Sequence, residues 1–407
     1  MAMHTKKYQL EQMAPTGHVV DEEAANRAKP VHDQTDETEP VSDGGCCGRF
    51  WNLWGNYFGG DMSAVNRWFR KHHVILQIPN YFLRGLGTPI FLNNPIAGVI
   101  ILIGMFLGNA WRSVVGIISL LAAILVAIAT KQDLGLIESG ILTFHALLVG
   151  LVAPIFVFKP DWYWWLLLPV VVLAAISVFV ASGLGNIFGK LDLIPFNLPF
   201  NICTFLLVAS WGADNPFFPA GVYDPRNEDN STNSSAVIQW DKIGWSILVN
   251  IGQVYGYESA LTGGLILIAC LVAAPITALH VILGSVISTI SALSFAANLD
   301  SIYAGLYGYN GILTCSVLGG YLWVFSVDSC IYACIGAIFS TYLFATLANI
   351  LYAVNLPALA FPYALSSIVF LGLTSGRGTF VRVPIDQITY PEQHVFMNRK
   401  GKYVKTS

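Results

Sequence analysis

The side chains in this chain that could do chemistry are few, and they interrupt stretches that are otherwise apolar. Gly140-Ile-Leu-Thr-Phe-His-Ala-Leu-Leu-Val-Gly150 carries a hydroxyl, an aromatic ring and an imidazole where lipid offers no partner. Gly305-Leu-Tyr-Gly-Tyr-Asn-Gly-Ile-Leu-Thr314 repeats it 165 residues downstream, with Asn310 at the place of His145. Leu83-Arg-Gly-Leu-Gly-Thr88 is echoed at the same offset by Leu248-Val-Asn-Ile-Gly-Gln253. Phe196-Asn-Leu-Pro-Phe200 is echoed by Leu359-Ala-Phe-Pro-Tyr363, 163 residues on. Hydroxyls, amides and imidazoles exchange hydrogen bonds. The sequence has no nucleophile triad, metal cluster, phosphate loop, carboxylate pair or proton relay, so neither an enzyme nor a cofactor or metal is expected. The chemistry on offer is hydrogen bonding to a small solute. Paired breaks at corresponding places in two halves are the best sequence pointer to a path across a membrane.

Composition agrees. The 407 residues are 55% hydrophobic and 11% charged, with a mean hydropathy of +0.61, far outside soluble norms. Charge collects at the two ends and in one central loop. A net charge of −3 gives no reason to expect nucleic acid as a partner. Seven Cys lie without metal spacing, five of them in apolar runs (Cys203, Cys270, Cys315, Cys330 and Cys334), where small buried thiols are ordinary.

Five segments follow. Residues 1–57 read as a disordered cytoplasmic tail, polar and poor in aromatics, with no signal peptide. Its Cys46-Cys47 pair precedes Arg49, Phe50, Trp51 and Trp54, a setting in which S-palmitoylation is one option. The basic cluster Arg67, Arg70, Lys71, His72, His73 then places the N-terminus inside. The first membrane repeat is 58–212, with a broken, re-entrant element at 75–92 and apolar runs near 95–110, 113–130, 138–158, 164–182 and 197–212. Residues 213–242 form a polar loop whose two sequons, at Asn230 and Asn233, mark it as extracellular and glycosylated. The second repeat, 243–376, reproduces the pattern with a broken element near 244–257. Residues 377–407 are a basic, cytoplasmic tail. A chain that begins inside, is outside at residue 230 and ends inside crosses an odd number of times in each half, so the halves lie antiparallel. The expectation is an all-α integral membrane protein of ten transmembrane helices plus two re-entrant pore helices in an inverted repeat, with the pore on the pseudo-two-fold axis.

Several motifs carry a resemblance. Asn93-Asn-Pro95, Leu166-Leu-Leu-Pro169, Leu198-Pro-Phe-Asn201, Asn215-Pro-Phe-Phe-Pro219, Ile251-Gly-Gln-Val-Tyr255, Leu261-Thr-Gly-Gly264, Ala304-Gly-Leu-Tyr-Gly-Tyr-Asn310, Leu356-Pro-Ala358 and Ile388-Thr-Tyr-Pro-Glu392 stand in order at family spacing. Over roughly residues 58 to 395 the chain resembles the urea transporter family of vertebrates. The resemblance implies a homotrimer in the plasma membrane, each protomer with its own channel-like pore. Through it urea passes passively in single file, its planar faces between apolar side chains and its N–H groups on a ladder of oxygens. A neutral, strongly hydrated solute needs such acceptors to replace its lost water.

Matched to that family, Gln253 stands at a pore Gln, Val254, Tyr309 and Asn310 at a slot and its neighbours, and Phe91 and Phe144 at aromatic slot positions. Four positions depart. Thr88 stands where Gln is usual, His145 where Asn is usual, and Asn197 and Ala360 where a symmetry-related pair of Thr is usual. Leu147 also replaces a small polar residue. Bland readings stand beside these: His145 as a histidine bonded to a nearby carbonyl, Phe91, Phe144 and Tyr309 as ordinary helix packing, and the Pro-rich breaks as kinks. His280 has Val115 as its mate and reads as a packing residue, and Glu138 and Asp192 as interfacial. The functional alternatives are a channel for a related small solute (ammonia, formamide, water) and a pore-defective structural subunit.

Overall fold

The computed structural model describes residues 54–212, 215–219, 237–372, 380–401 and 403. The Cys46-Cys47 pair and both sequons, Asn230 and Asn233, lie outside them. Among the described residues the secondary structure is helical, with one isolated antiparallel bridge between Trp323 and Arg382. A short entry helix, α1 (Ser63–Arg70), precedes the first half. That half comprises α2 (Val74–Gly87), α3 (Pro95–Gly108), α4 (Ala110–Ala129), α5 (Leu134–Glu138), α6 (Phe144–Val152), α7 (Leu167–Gly189) and α8 (Leu198–Trp211). The second half reproduces them one for one as α9 (Trp240–Gln253), α10 (Ala260–Ala273), α11 (Pro275–Ser294), α12 (Leu299–Tyr303), α13 (Tyr309–Ser316), α14 (Val327–Tyr352) and α15 (Phe361–Leu371). A final helix, α16 (Pro391–Arg399), follows.

The duplication reaches individual backbone angles. Left-handed residues recur at the sequence offsets: Phe91 with Gly256 (φ 64° and 75°), Lys131 with Ala296 (55°, 53°), Gly140 with Gly305 (75°, 78°), Asp192 with Asn355 (54°, 55°) and Phe196 with Leu359 (both 47°). L side chains other than Asn and Asp rarely adopt this region, so retention in both copies marks turns that the architecture requires. Caps recur as well. Asn94 accepts from Ala97 N at the start of α3, and Ser259 from Thr262 N at the start of α10. Asp133 and Asn298 cap α5 and α12 in the same way.

Helix lengths sort the elements. Among the described residues, four helical stretches are long and apolar enough to cross a membrane alone: Ala110–Ala129, Trp164–Gly189, Pro275–Ser294 and Val327–Tyr352. The pair α2–α3, bent by 74° at its break, makes a fifth if counted as one span. Residues 75–92 therefore hold a regular helix whose break falls after Gly87. Pro79 removes one backbone bond near its start without ending it. The shorter apolar helices are α8, α10, α15 and α6 with its following turn; each falls below the roughly 20 residues of a straight crossing. All nine residues of α6 are buried, so it is enclosed by protein.

The halves join chiefly along α3 and α10. Thr262 Oγ1 donates to Gly104 O (3.0 Å), Tyr255 Oη to Leu86 O (2.7 Å), and Ser113 Oγ pairs with Tyr257 Oη at 2.7 Å. Close crossings within each half depend on a matched glycine. A Cβ at Gly98 would stand 2.0 Å from Leu83 O, and one at Gly263 1.8 Å from Leu248 O. Arg84, fully buried in α2, spends its guanidinium on oxygens of Asn80, Asn93 and Asp61, as a buried charge must.

Candidate solute pathway

The Pro-rich breaks before α8 and α15 bring two left-handed residues, Phe196 and Leu359, to the centre of the protein, followed by Asn197 and Ala360 in matching conformations (φ −88°, ψ 13° and φ −92°, ψ 18°). Proline in the first turn fixes where each helix restarts. Ala360 N donates to Asn201 Oδ1 across the halves (3.1 Å), which locks one break to the other.

Both breaks line a cavity of about 1270 Å³. Its rim carries exposed polar groups, among them Lys242, Asn298 and Asp300, and its deeper wall the buried Leu148, Leu313, Val254, Asn197 and Ala360. Arg112 lies in its wall, donating from Nε to Leu151 O (3.2 Å) and from Nη2 to Gly256 O, with its guanidinium 4.8 Å from the Tyr257 ring centre.

Five of the ten sequence-derived pathway residues line this cavity: Asn197, Gln253, Val254, Tyr309 and Ala360. Thr88, Phe91, Phe144, His145 and Asn310 stand outside its wall. Their contacts say what they do. Gln253 Nε2 donates to Ala304 O (2.7 Å), and Thr88 Oγ1 donates to the corresponding carbonyl, Ser139 O (2.9 Å), and to Arg84 O. The two mates thus anchor the same turn. Gln253, the longer, keeps an amide oxygen besides.

Asn310 is 0% exposed and spans the second break, its Nδ2 donating to Leu359 O (3.1 Å) and its Oδ1 accepting from Tyr363 N (3.0 Å). Tyr309 Oη donates to the same Leu359 carbonyl (2.7 Å). The first half lacks this clamp. Phe144 has no hydroxyl at the place of Tyr309, and His145, its ring centre 3.8 Å from that of Phe144, has a buried Nδ1 without a partner. His280 bonds its own helix through Nδ1 to Ile276 O (2.8 Å), away from the cavity.

Asn201 is the functional candidate that residue matching passed over. It is fully buried, it makes the cross-half bond just described, and its Nδ2 has no partner. The signal was present, since Asn201 closes the Leu198-Pro-Phe-Asn motif, but its mate is Ala364, so the repeat gave no reason to single it out.

A family model described as urea transporter matches residues 80–375. Urea transporter 1 of Mus musculus is 32% identical over 357 residues, covering 86% of this chain and 91% of its own length. The same protein of Rattus norvegicus is 33% identical over the same shares, and that of Ovis aries 32% over 343 residues, 83% and 88%. The chain belongs to the urea transporter family, a family of transporters and not of enzymes.

Proposed function

We propose that the protein is a facilitative, channel-like pathway for urea across the plasma membrane. Solute enters the cavity and crosses between its two halves at the paired breaks of Asn197 and Ala360. The observation that carries the reading is the cavity's lining: it holds the break residues of both copies of the duplicated unit, Asn197 and Ala360, together with Gln253. Urea leaving water there loses hydrogen bonds worth several kcal/mol unless fixed oxygens replace them. Asn197, Gln253 and exposed carbonyls at the breaks can supply them, while Val254, Leu148 and Leu313 press on the planar faces.

On this reading the halves form an inverted repeat of ten crossings with a re-entrant element in each half, at the broken stretches 75–92 and 244–257. Both termini are cytoplasmic, the 213–242 loop with Asn230 and Asn233 is extracellular, and three copies assemble with one pore each. Thr88, Phe91, Phe144, His145, Tyr309 and Asn310 shape and brace the filter. A second reading, a channel for a related small solute such as formamide or ammonia, draws on the unequal pair Asn197 and Ala360, of which only the first offers a side-chain oxygen. Stopped-flow shrinkage of proteoliposomes in urea, formamide, ammonia and water decides between them. Urea permeability well above that of protein-free vesicles, without dependence on ion gradients, supports the first; movement of the other solutes without urea supports the second.

A further inference from the structure

The entry helix α1 has two sides with different employment. Its inner side is spent on the protein: Ser63 Oγ donates to Asn56 Oδ1 (2.9 Å), Asn66 Oδ1 accepts from Asn80 Nδ2 (3.2 Å), and Arg70 Nε donates to Glu138 Oε2 (2.9 Å). Positions i, i+3 and i+7 share one face of a helix. The outer side carries Arg67, Trp68 and Lys71, all exposed. Arg67 and Lys71 are four residues apart and so are neighbours on that side. Among the described residues neither of these cations has a carboxylate partner, whereas Arg70 and Arg382 pair with Glu138 and Asp192. Trp68 is 57% exposed, its ring centre 4.3 Å from that of His72. Where α2 begins, Ile75 and Leu76 are 64% and 58% exposed. Unpaired cations beside an indole and two bare aliphatic side chains suit a lipid headgroup and the top of its acyl chains.

The patch is firmly mounted. Gln77 Nε2 donates to His72 O (2.8 Å), which folds the turn after α1 back onto α2. Ahead of α1, Gly60 N donates to Ala273 O (2.7 Å), and the Trp54 ring meets Tyr390 edge-on, 6.2 Å between centres. Tyr390 belongs to a C-terminal strap, residues 380–399, that is bonded to both halves. In it His394 Nδ1 pairs with Gly320 O (3.1 Å) and Val383 N donates to Leu322 O (2.9 Å). Glu392 Oε1 accepts from Ile276 N (2.7 Å), and Arg382 donates to Asp192 O. Little backbone is left to order when a headgroup arrives, which lowers the cost of binding it.

We propose that Arg67, Lys71 and Trp68, above Ile75 and Leu76, form a binding site for the headgroup of an anionic phospholipid in the leaflet that this end of the protein faces. The two cations take its phosphate oxygens in charge-assisted hydrogen bonds, and the indole lies at headgroup level. The site is separate from the solute pathway and holds whichever solute passes.

Native mass spectrometry of the full-length protein in detergent, titrated with phosphatidylserine or with phosphatidylcholine of the same acyl chains, tests it. The variants are Arg67→Gln, Lys71→Gln, the Arg67→Gln/Lys71→Gln pair, Trp68→Ala and Lys190→Gln, the last removing an exposed cation at the end of α7, outside the patch. Size-exclusion profiles limit the comparison to folded variants, and each single charge removal stands in for the pair. Wild type should bind phosphatidylserine more tightly than phosphatidylcholine. Either single charge removal should weaken phosphatidylserine about fivefold and the pair about tenfold or more, with phosphatidylcholine unchanged. Trp68→Ala should weaken both lipids, and Lys190→Gln should match wild type. A preference that survives in the pair, or that Lys190→Gln lowers as much as the patch variants do, would overturn the site. Glycerophosphoserine binding as tightly as the lipid would assign the patch to a soluble phosphate and defeat the lipid assignment. No preference in wild type would also overturn it, and a lower melting midpoint in the pair would then give the patch to the chain's own acidic run, Asp33–Glu39.

Discussion

Asn310→Ala isolates the clamp that the second half has and the first half lacks. Asn310 accepts from Tyr363 N and donates to Leu359 O, at 3.0 and 3.1 Å, in a site with no exposure. Truncation leaves the Tyr363 N–H without that acceptor in the first turn of α15, where the helix itself supplies none. A buried orphan donor costs about 1–3 kcal/mol, and the loss of a second net hydrogen bond about 1 more. Leu359 O is partly compensated, since Tyr309 Oη still donates to it. The sum is roughly 2–4 kcal/mol. At roughly 2–3 °C per kcal/mol for a large chain, the melting midpoint in detergent should fall by about 5–10 °C. Urea flux should fall further than the loss of folded protein explains, because Leu359 and Ala360 line the cavity. Differential scanning fluorimetry and vesicle flux, both normalised to folded protein, measure the two effects. A midpoint within a degree of wild type together with unchanged flux would refute the clamp.

Gln253→Ala removes both the anchor to Ala304 O and the oxygen beside the cavity, so urea flux per molecule should fall about tenfold or more, whereas Gln253→Thr, which installs the residue of the other copy, should retain the fold with reduced flux. His145→Asn places in the first half the side chain that clamps the second; with the orphan Nδ1 gone and Phe200 N and Phe196 O at the repeat positions of the groups that Asn310 bonds, stability should hold or rise, by up to about 2 kcal/mol, and a marked fall would show that the ring is needed for packing. In the strap, burial lowers His394 from 6.5 to about 4, so its contribution is complete above pH 6.5, where both states are neutral, and is lost as pH falls toward 4, where only the released strap binds the proton. Burial raises the Glu392 carboxyl, which opposes that loss on acidification. Limited proteolysis after Phe380 should quicken between pH 7 and pH 5 by the equivalent of roughly 2 kcal/mol, and much less so in His394→Gln.

Much of this architecture was legible in the sequence because the duplication preserved its interruptions. Glycine and proline at breaks, and Asn, Asp and Ser at caps, recur at fixed offsets, so the order of the elements and the three broken places could be read from the chain. Helix lengths could not. Hydropathy marks 75–92 as a compromised span, but only the packing of Arg84 against Asn80, Asn93 and Asp61 shows a regular helix with a buried cation satisfied by neutral oxygens. Glu138 reads as interfacial from its place near the end of an apolar run, and the fold adds a partner: it is 4% exposed and bonded to Arg70 of the entry helix (2.9 Å), a pairing across 68 residues that no local pattern announces. Within the site, residue matching named ten positions without their division of labour. Thr88 and Asn310 hold backbone, Gln253 both holds backbone and faces the cavity, and Asn201 joins the halves. The clustering of Phe91, Phe196, Tyr321 and Tyr363 was beyond sequence for the same reason, since four rings drawn from four segments meet only in the folded chain.

The central claim is that solute crosses at the paired breaks that line the cavity, at Asn197 and Ala360. Ala360→Cys puts a small thiol at that point of the wall, and a small methanethiosulfonate reagent applied from the cavity side then adds bulk across the path, with wild type as the control for the native cysteines. Modification of Ala360→Cys should abolish its urea flux, and saturating urea should slow the modification. Complete modification, verified by mass spectrometry, with urea flux unchanged would place the path elsewhere.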